Sequence, residues 1–158
     1  MTPQVLKNVL TVMSDMVDLE LALAALYQTC NDTFPEEGDF WLAIKRQEEK
    51  HADSIRQMAA LVAENPQDFE IGRAFNSIAI KNIKTRIYDF TAEVRNRQVP
   101  RNKALIIARD IENSVLEANY RDFVKTGNLR FRAFVESLES DTSAHRNLFV
   151  QKAEKAKG

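Results

Sequence analysis

The sequence predicts an all-α protein: a bundle of four long helices in which a long helical crossover joins the second bundle helix to the third. Three observations carry this. Apolar residues recur at three- and four-residue spacing over most of the chain. The four glycines and four prolines sit at the edges of those periodic stretches or at the chain end. Two short gaps flank one long linking segment, so the helices pair as two hairpins with a crossover between them. At 158 residues and 18.1 kDa, residues 1–158 read as one domain with a sizeable core.

Thr2-Pro3 is an N-cap followed by proline in the first turn, where its missing N–H costs nothing. It opens a helix over 3–32 whose stripe is Val9, Met13, Met16, Val17, Leu23, Ala24 and Tyr27. Pro35 and Gly38 bracket the first gap, and Asp39 is the candidate cap of a helix over 39–64 striped by Trp41, Ile44, Ile55, Met58 and Val62. Asn65-Pro66 closes it, with Gly72 in the following gap. The stretch 75–97, with Ile78, Ile80, Ile83, Ile87, Tyr88 and Phe90, reads as the crossover helix. Val99-Pro100 breaks the chain there, because the residue before proline is pushed out of helical geometry. A helix over 101–126 follows, striped by Leu105, Ala108, Val115, Leu116, Tyr120 and Phe123, and Gly127 is placed to end it. The last helix, 129–155, carries Phe134, Leu138, Leu148 and Phe149, and the tail Lys152 to Lys157 reads as a frayed, solvated end. No strand is required.

Lys plus Arg number 22 against 23 Asp plus Glu. That balance leaves no basic excess for neutralising phosphates, so nucleic acid is not an expected partner. The single cysteine, Cys30, excludes an internal disulfide framework and a four-thiolate metal centre, and it suits a reducing compartment. No apolar run approaches the ~18–20 residues of a membrane span, and the N-terminus lacks a signal-peptide pattern. The expectation is a soluble, cytoplasmic protein without a membrane partner.

The informative residues are polar ones on the apolar stripes. Glu20 is flanked by Met16, Val17, Leu23 and Ala24; Glu48 and His51 lie three apart between Ile44 and Ile55. Glu112 sits between Ala108 and Val115, and His145 between Leu138 and Phe149. One glutamate on a stripe is ordinarily a boundary residue that snorkels to water, and one histidine is ordinarily a hydrogen-bonded core residue. Here all five fall at one depth. Measured from turns at 35 and 127, they lie 13 to 18 residues along their helices, roughly 20–27 Å at ~1.5 Å per residue. The halves also echo each other: Glu20 to Glu112, Tyr27 to Tyr120 and His51 to His145 are offsets of 92, 93 and 94. Buried carboxylates must be paired, neutralised or bound to a cation. Glutamate oxygens and imidazole nitrogens together suit a first-row metal, iron among them.

These pieces resemble the rubrerythrin-like branch of the ferritin-like, di-iron carboxylate superfamily. The resemblance rests on Glu20 to Tyr27 in the first helix, Glu48-Glu49-Lys50-His51-Ala52 in the second, Glu112 with Tyr120 in the third and His145 in the fourth. It implies that Glu20, Glu48, His51, Glu112 and His145 ligate two iron ions, with Tyr27 and Tyr120 beside them. Manganese or zinc would fit the same ligands. It implies reduction of hydrogen peroxide or oxidation of ferrous iron, with no catalytic group beyond the metal ligands. Three departures stand out. Thr142 occupies the place of the expected glutamate three residues before His145, with Asp141 as its candidate substitute; Val115 stands where an extra glutamate is common; and the four-cysteine rubredoxin-like module is missing. An external, rubredoxin-like electron donor is therefore implied.

A second reading follows from Thr142: a degenerate bundle holding one metal or none and serving as a binding or assembly module. A bundle with no metal ancestry would instead need its five polar residues to satisfy one another. Leu19, Leu21, Leu26, Ile106 and Ile107, lying off the main stripes, carry the expectation of a homodimer.

Overall fold

A computed structural model describes residues 1–72, 77–118 and 120–155. It is mostly helical: α1 Pro3–Thr33, α2 Phe40–Glu64, α3 Ser77–Arg95, α4 Arg101–Ala118 and α5 Leu129–Lys155. α1 packs along α2 and α4 along α5, as two hairpins. α3 crosses between them, lying against α1 and touching α4, while α2 meets α5 across the middle. The first two residues of the predicted 75–97 crossover lie outside the described residues, as do 156 and 157 of the tail.

The helix boundaries have local causes. Thr2 Oγ1 accepts from the Val5 N–H at 3.3 Å, with Pro3 in the first turn. Gly38, at φ +58°, takes the left-handed conformation that redirects the chain into α2. Asp39 occupies the cap position of α2, but its side chain makes no capping bond. α5 is capped by Asn128, whose Oδ1 accepts from the Phe131 N–H at 3.0 Å.

Several expectations are corrected. α4 ends at Ala118 rather than 126; beyond it, Tyr120–Asp122 form one 3-10 turn and Val124–Thr126 a short strand, β2. It pairs antiparallel with β1, Phe69–Ile71, with Phe69 opposite Thr126. The β-branched Val124 and Thr126 suit that pleated pairing, and Phe69 is buried with its ring edge-on to Phe131. Gly72 permits the closure: a Cβ there would run into the Asp122 carbonyl oxygen. Gly127 therefore precedes the cap of α5 instead of ending α4.

Leu148 is exposed, and Phe149 alone of that pair enters the core. Leu19 and Leu26 are fully buried, on a helix that packs against both α2 and α3, so they are not spare surface for a second chain. Lys152 is no frayed end. Its Nζ lies 2.8 Å from the buried Glu37 carboxylate and over the Phe40 ring. Arg101 holds the other Glu37 oxygen, tying the α1–α2 turn to the start of α4 and the end of α5. No described helix is long and apolar enough to cross a membrane.

Candidate metal centre

Helical spacing turns one face of each of α1, α2, α4 and α5 inward, and each inward face carries a ligand-type residue. Glu20 (1 % exposed), Glu48 (1 %), His51 (3 %), Glu112 (0 %) and His145 (0 %) are all buried. They meet as two triads. Ligand atoms of Glu20, Glu48 and His51 lie within 4.8 Å of one another, and so do those of Glu48, Glu112 and His145. Glu48 belongs to both.

The donor set can be tested for a cation by asking whether these groups satisfy themselves. In part they do. His51 Nδ1 is 3.0 Å from Glu48 Oε2 and 3.5 Å from Glu20 Oε2. The second triad does not. His145 Nδ1 and Glu48 Oε1 stand 2.8 Å apart, yet neither makes a hydrogen bond, and Glu112 Oε2 is likewise unpartnered. Each buried orphan costs about 1–3 kcal/mol. A cation among them removes that cost, and three carboxylates with two imidazoles fit a pair of divalent first-row ions. A fourth orphan, Trp41 Nε1, belongs to the aromatic cluster described below.

The electrostatics agree. Burial raises the Glu48 pKa to about 8, with repulsion from Glu20 adding to it and the hydrogen bond from His51 opposing it. Burial likewise holds Glu112 well above the ordinary carboxylate range, helped by the Glu48 charge. His51 is disfavoured as a cation by burial, but its contacts with Glu20 and Glu48 outweigh this and lift it to about 11. His145 is pushed down by burial, with the His51 charge adding to the effect. The metal-free centre thus stores protons that a cation would displace.

Two tyrosines hold the carboxylates crosswise. Tyr27 of α1 donates to Glu112 of α4 at 2.5 Å, and Tyr120 donates to Glu20 of α1 at 3.0 Å. Burial and the nearby carboxylates keep both as phenols. Tyr27 stacks on Trp41 (5.9 Å) and packs on Phe149 (5.6 Å), a wall that keeps water from this side of the centre.

Each histidine is also gripped from outside. His51 Nε2 meets Asp141 Oδ2 at 3.2 Å, and His145 Nε2 meets the Gln47 side-chain oxygen. Gln47 and Asp141 each lie four residues before the histidine of their own helix, and each reaches the histidine of the other. This turns both Nδ1 atoms toward the carboxylates and fixes the tautomer, which raises ligand basicity. The candidate ligand Asp141 is thus placed on the far edge of His51, with 44 % of its side chain exposed, and joins neither triad. Thr142 is buried, its hydroxyl donating to the Leu138 carbonyl at 2.8 Å.

The sequence reading passed over Gln47. The signal that would have found it is the shared 94-residue offset that relates Gln47 to Asp141 and Glu48 to Thr142. Cys30 is buried, its thiol pushed up to about 12, and takes no part in the centre.

Comparison of the chain with protein-family models, with curated proteins and with solved structures finds no match.

Proposed function

We propose that the chain is a ferritin-like four-helix protein carrying a dinuclear carboxylate–histidine centre, with iron as its metal. Its reaction is oxidoreduction: reduction of hydrogen peroxide with electrons from an external rubredoxin-like donor, or oxidation of ferrous iron. The observation that carries this reading is the membership of Glu48 in both triads, together with the three inward atoms that lack partners. Glu20 and His51 would hold one ion, Glu112 and His145 the other, with Glu48 shared between them.

Bound iron would supply one electron per ion. The chain's own residues do the rest. The glutamates offset the change in metal charge in a site too buried for water to do so. The phenols of Tyr27 and Tyr120 keep Glu112 and Glu20 in place through their O–H bonds. Asp141 and Gln47 orient the imidazoles.

The test begins with anaerobic loading with ferrous iron, desalting and elemental analysis. About two ions per chain are expected, one for each triad. Peroxide added to that protein should disappear in step with ferrous oxidation, and Glu20→Ala should abolish the coupling. Equal peroxide loss in the variant would overturn the redox role.

One observation favours a second reading. Thr142 faces inward with its hydroxyl committed to Leu138, while Asp141 is half exposed, so the second hairpin supplies one carboxylate fewer than the first. A centre reduced to one metal or none would serve binding or assembly. One ion or fewer per chain in the same analysis selects this reading.

A further inference from the structure

An ion bound for the centre has to cross a wall of protein. The five Glu and His residues are at most 3 % exposed. Toward the α1–α2 turn the way is closed by Tyr27, Trp41 and Phe149, packed ring on ring. On the α1 side, α3 lies against the helix and touches α4. Among the described residues the wall is one side chain thick in two places. One is the cleft beside Thr142. The other is the seam between α2 and α5, which pack on each other less extensively than do the partners within either hairpin.

The cleft offers an ion nothing to bind. It measures about 10 Å³, room for one water, and Val115, Leu116 and Leu138 make half of its lining residues. The hydroxyls of Tyr120 and Thr142 are donated to Glu20 and to Leu138, and the Glu139 carboxylate is held by Arg121 at 2.5 Å. The seam differs. The His51 and His145 rings lie side by side there, their centroids 5.6 Å apart. Each ring has a buried carboxylate on its inner edge and an oxygen of Asp141 or Gln47 on its outer edge. Both outer partners reach water: Gln47 is exposed, as is 44 % of the Asp141 side chain. Among the described residues Asp141 forms an ion pair only with His51, so its charge faces the seam uncompensated by any Lys or Arg. Turning either ring about its side-chain bonds breaks those inner and outer contacts and opens the centre to the seam.

We infer that metal ions enter and leave the centre across the α2–α5 seam, with Asp141 as the carboxylate that first takes the ion from water and the two imidazole rings as the door. The inference rests on the metal-centre reading above and deepens it by giving the ions a route. A carboxylate at the mouth replaces part of the hydration shell before the ion meets imidazole, and its charge raises the local cation concentration. Asp141 thus has a second role beside orienting His51. The two roles separate by rate: delivery acts on uptake, orientation on release.

The test follows uptake of cobalt(II), whose visible absorption reports its ligands, by the metal-free full chain in stopped flow, and its release into excess chelator. Asp141→Asn keeps a side-chain oxygen beside His51 and removes the charge. Its uptake should be about tenfold slower at low salt, with the difference shrinking as salt screens the mouth. Asp141→Glu keeps the charge but alters the grip on the ring, and should load at close to the unaltered rate. Glu139→Gln removes a carboxylate from the cleft instead, and should load like the unaltered chain. All three variants should reach the unaltered cobalt content at saturation. Uptake by Asp141→Asn at the unaltered rate, with only release made faster, would reduce Asp141 to a positioning residue and overturn the route. A larger slowing in Glu139→Gln than in Asp141→Asn would also overturn it, by placing entry at the cleft. Neither result touches the dinuclear reading, which falls if the unaltered chain takes up no more than one cobalt at saturation. The same rates then decide the route for that one ion, and a chain that takes up none overturns both.

Discussion

The first hairpin, α1 with α2, is regular and supplies three of the five buried residues that could ligate a metal; the second, α4 with α5, is interrupted and supplies two. In the first, Tyr27 follows Glu20 by seven residues on one unbroken helix. In the second, Tyr120 follows Glu112 by eight and stands on a 3-10 turn after α4 has ended. Both phenols nonetheless reach the carboxylate of the opposite hairpin. The position of a donor relative to the centre is maintained although the backbone that presents it is not. The carboxylate at the Glu48 position has no such equivalent on α5. A hydrogen bond can be made from several backbones, whereas a shared ligand must be supplied at one place.

The largest expected effect comes from removing what the first hairpin alone provides. Glu48→Ala takes one ligand from each triad and should reduce metal content from about two ions per chain to none retained after desalting. The matched change in the second hairpin, Thr142→Ala, should leave the count unaltered. Equal losses in the two variants would show that Thr142 is a ligand and that the hairpins are equivalent after all.

Next come Glu20→Gln and Glu112→Gln, which should each cost one ion by elemental analysis, since each glutamate belongs to a single triad. Glu112→Gln should also stabilise the metal-free protein relative to Glu20→Gln. It removes a carboxyl that burial and Glu48 already hold well above its ordinary range. Thermal unfolding of the two metal-free variants at pH 8 compares them directly, with each kcal/mol appearing as roughly 2–4 °C.

A pH dependence follows in size. Glu48 binds its proton up to about pH 8 in the metal-free fold against 4.5 for its ordinary value, and His51 up to about 11 against 6.5. Both are raised, so both stabilise the metal-free fold at low pH and lose that contribution as pH rises through the folded values. Between about pH 6.5 and 8 the two act together, and the metal-free melting temperature should fall. His145, lowered, acts the other way, but its contribution is lost only as pH falls. Metal uptake displaces the stored protons, so zinc affinity should rise over the same interval, with proton release measurable in a pH-stat. A metal-free melting temperature that rises from pH 6.5 to 8 would contradict the protonation assigned to Glu48 and His51.

The regular hairpin was also the more legible in the sequence. The 3.6-residue period and the Thr2-Pro3, Pro35 and Asn65-Pro66 marks place α1 and α2 to within a residue or so, and Glu48 with His51 is visible as a pair three apart on one stripe. The second hairpin misleads for a physical reason. Val115, Leu116, Tyr120 and Phe123 continue a helical period with no glycine or proline before Gly127, so the pattern outlasts the helix. The strands β1 and β2 are three residues each, too short to establish a period of two, and only their pairing defines them. Asp141 was legible as a polar residue near the centre but not as an outer partner, because the ligand and outer-partner positions are adjacent residues and the deciding contact crosses between hairpins.

That crossing supplies the smallest and most discriminating test. Gln47 grips the histidine of the second hairpin and Asp141 that of the first, so each hairpin orients the other's imidazole. Removing such a partner costs about ten- to a hundredfold in metal affinity. Gln47→Ala should therefore weaken the ion held by Glu112 and His145, although the substitution lies on α2. Asp141→Ala should weaken the ion held by Glu20 and His51, although it lies on α5. Asp141 is 44 % exposed, and water can take over its bond to His51, which sets its effect at the lower end of that range. Its loss also removes a carboxylate from beside a positively charged ring, so the proton released by His51 on metal uptake should come off more readily. Cobalt titrations of the two variants, read band by band, separate the two ions. If each substitution instead weakened the ion on its own hairpin, the reciprocal arrangement would be wrong, and the two halves would have to be treated as independent sites that share only Glu48.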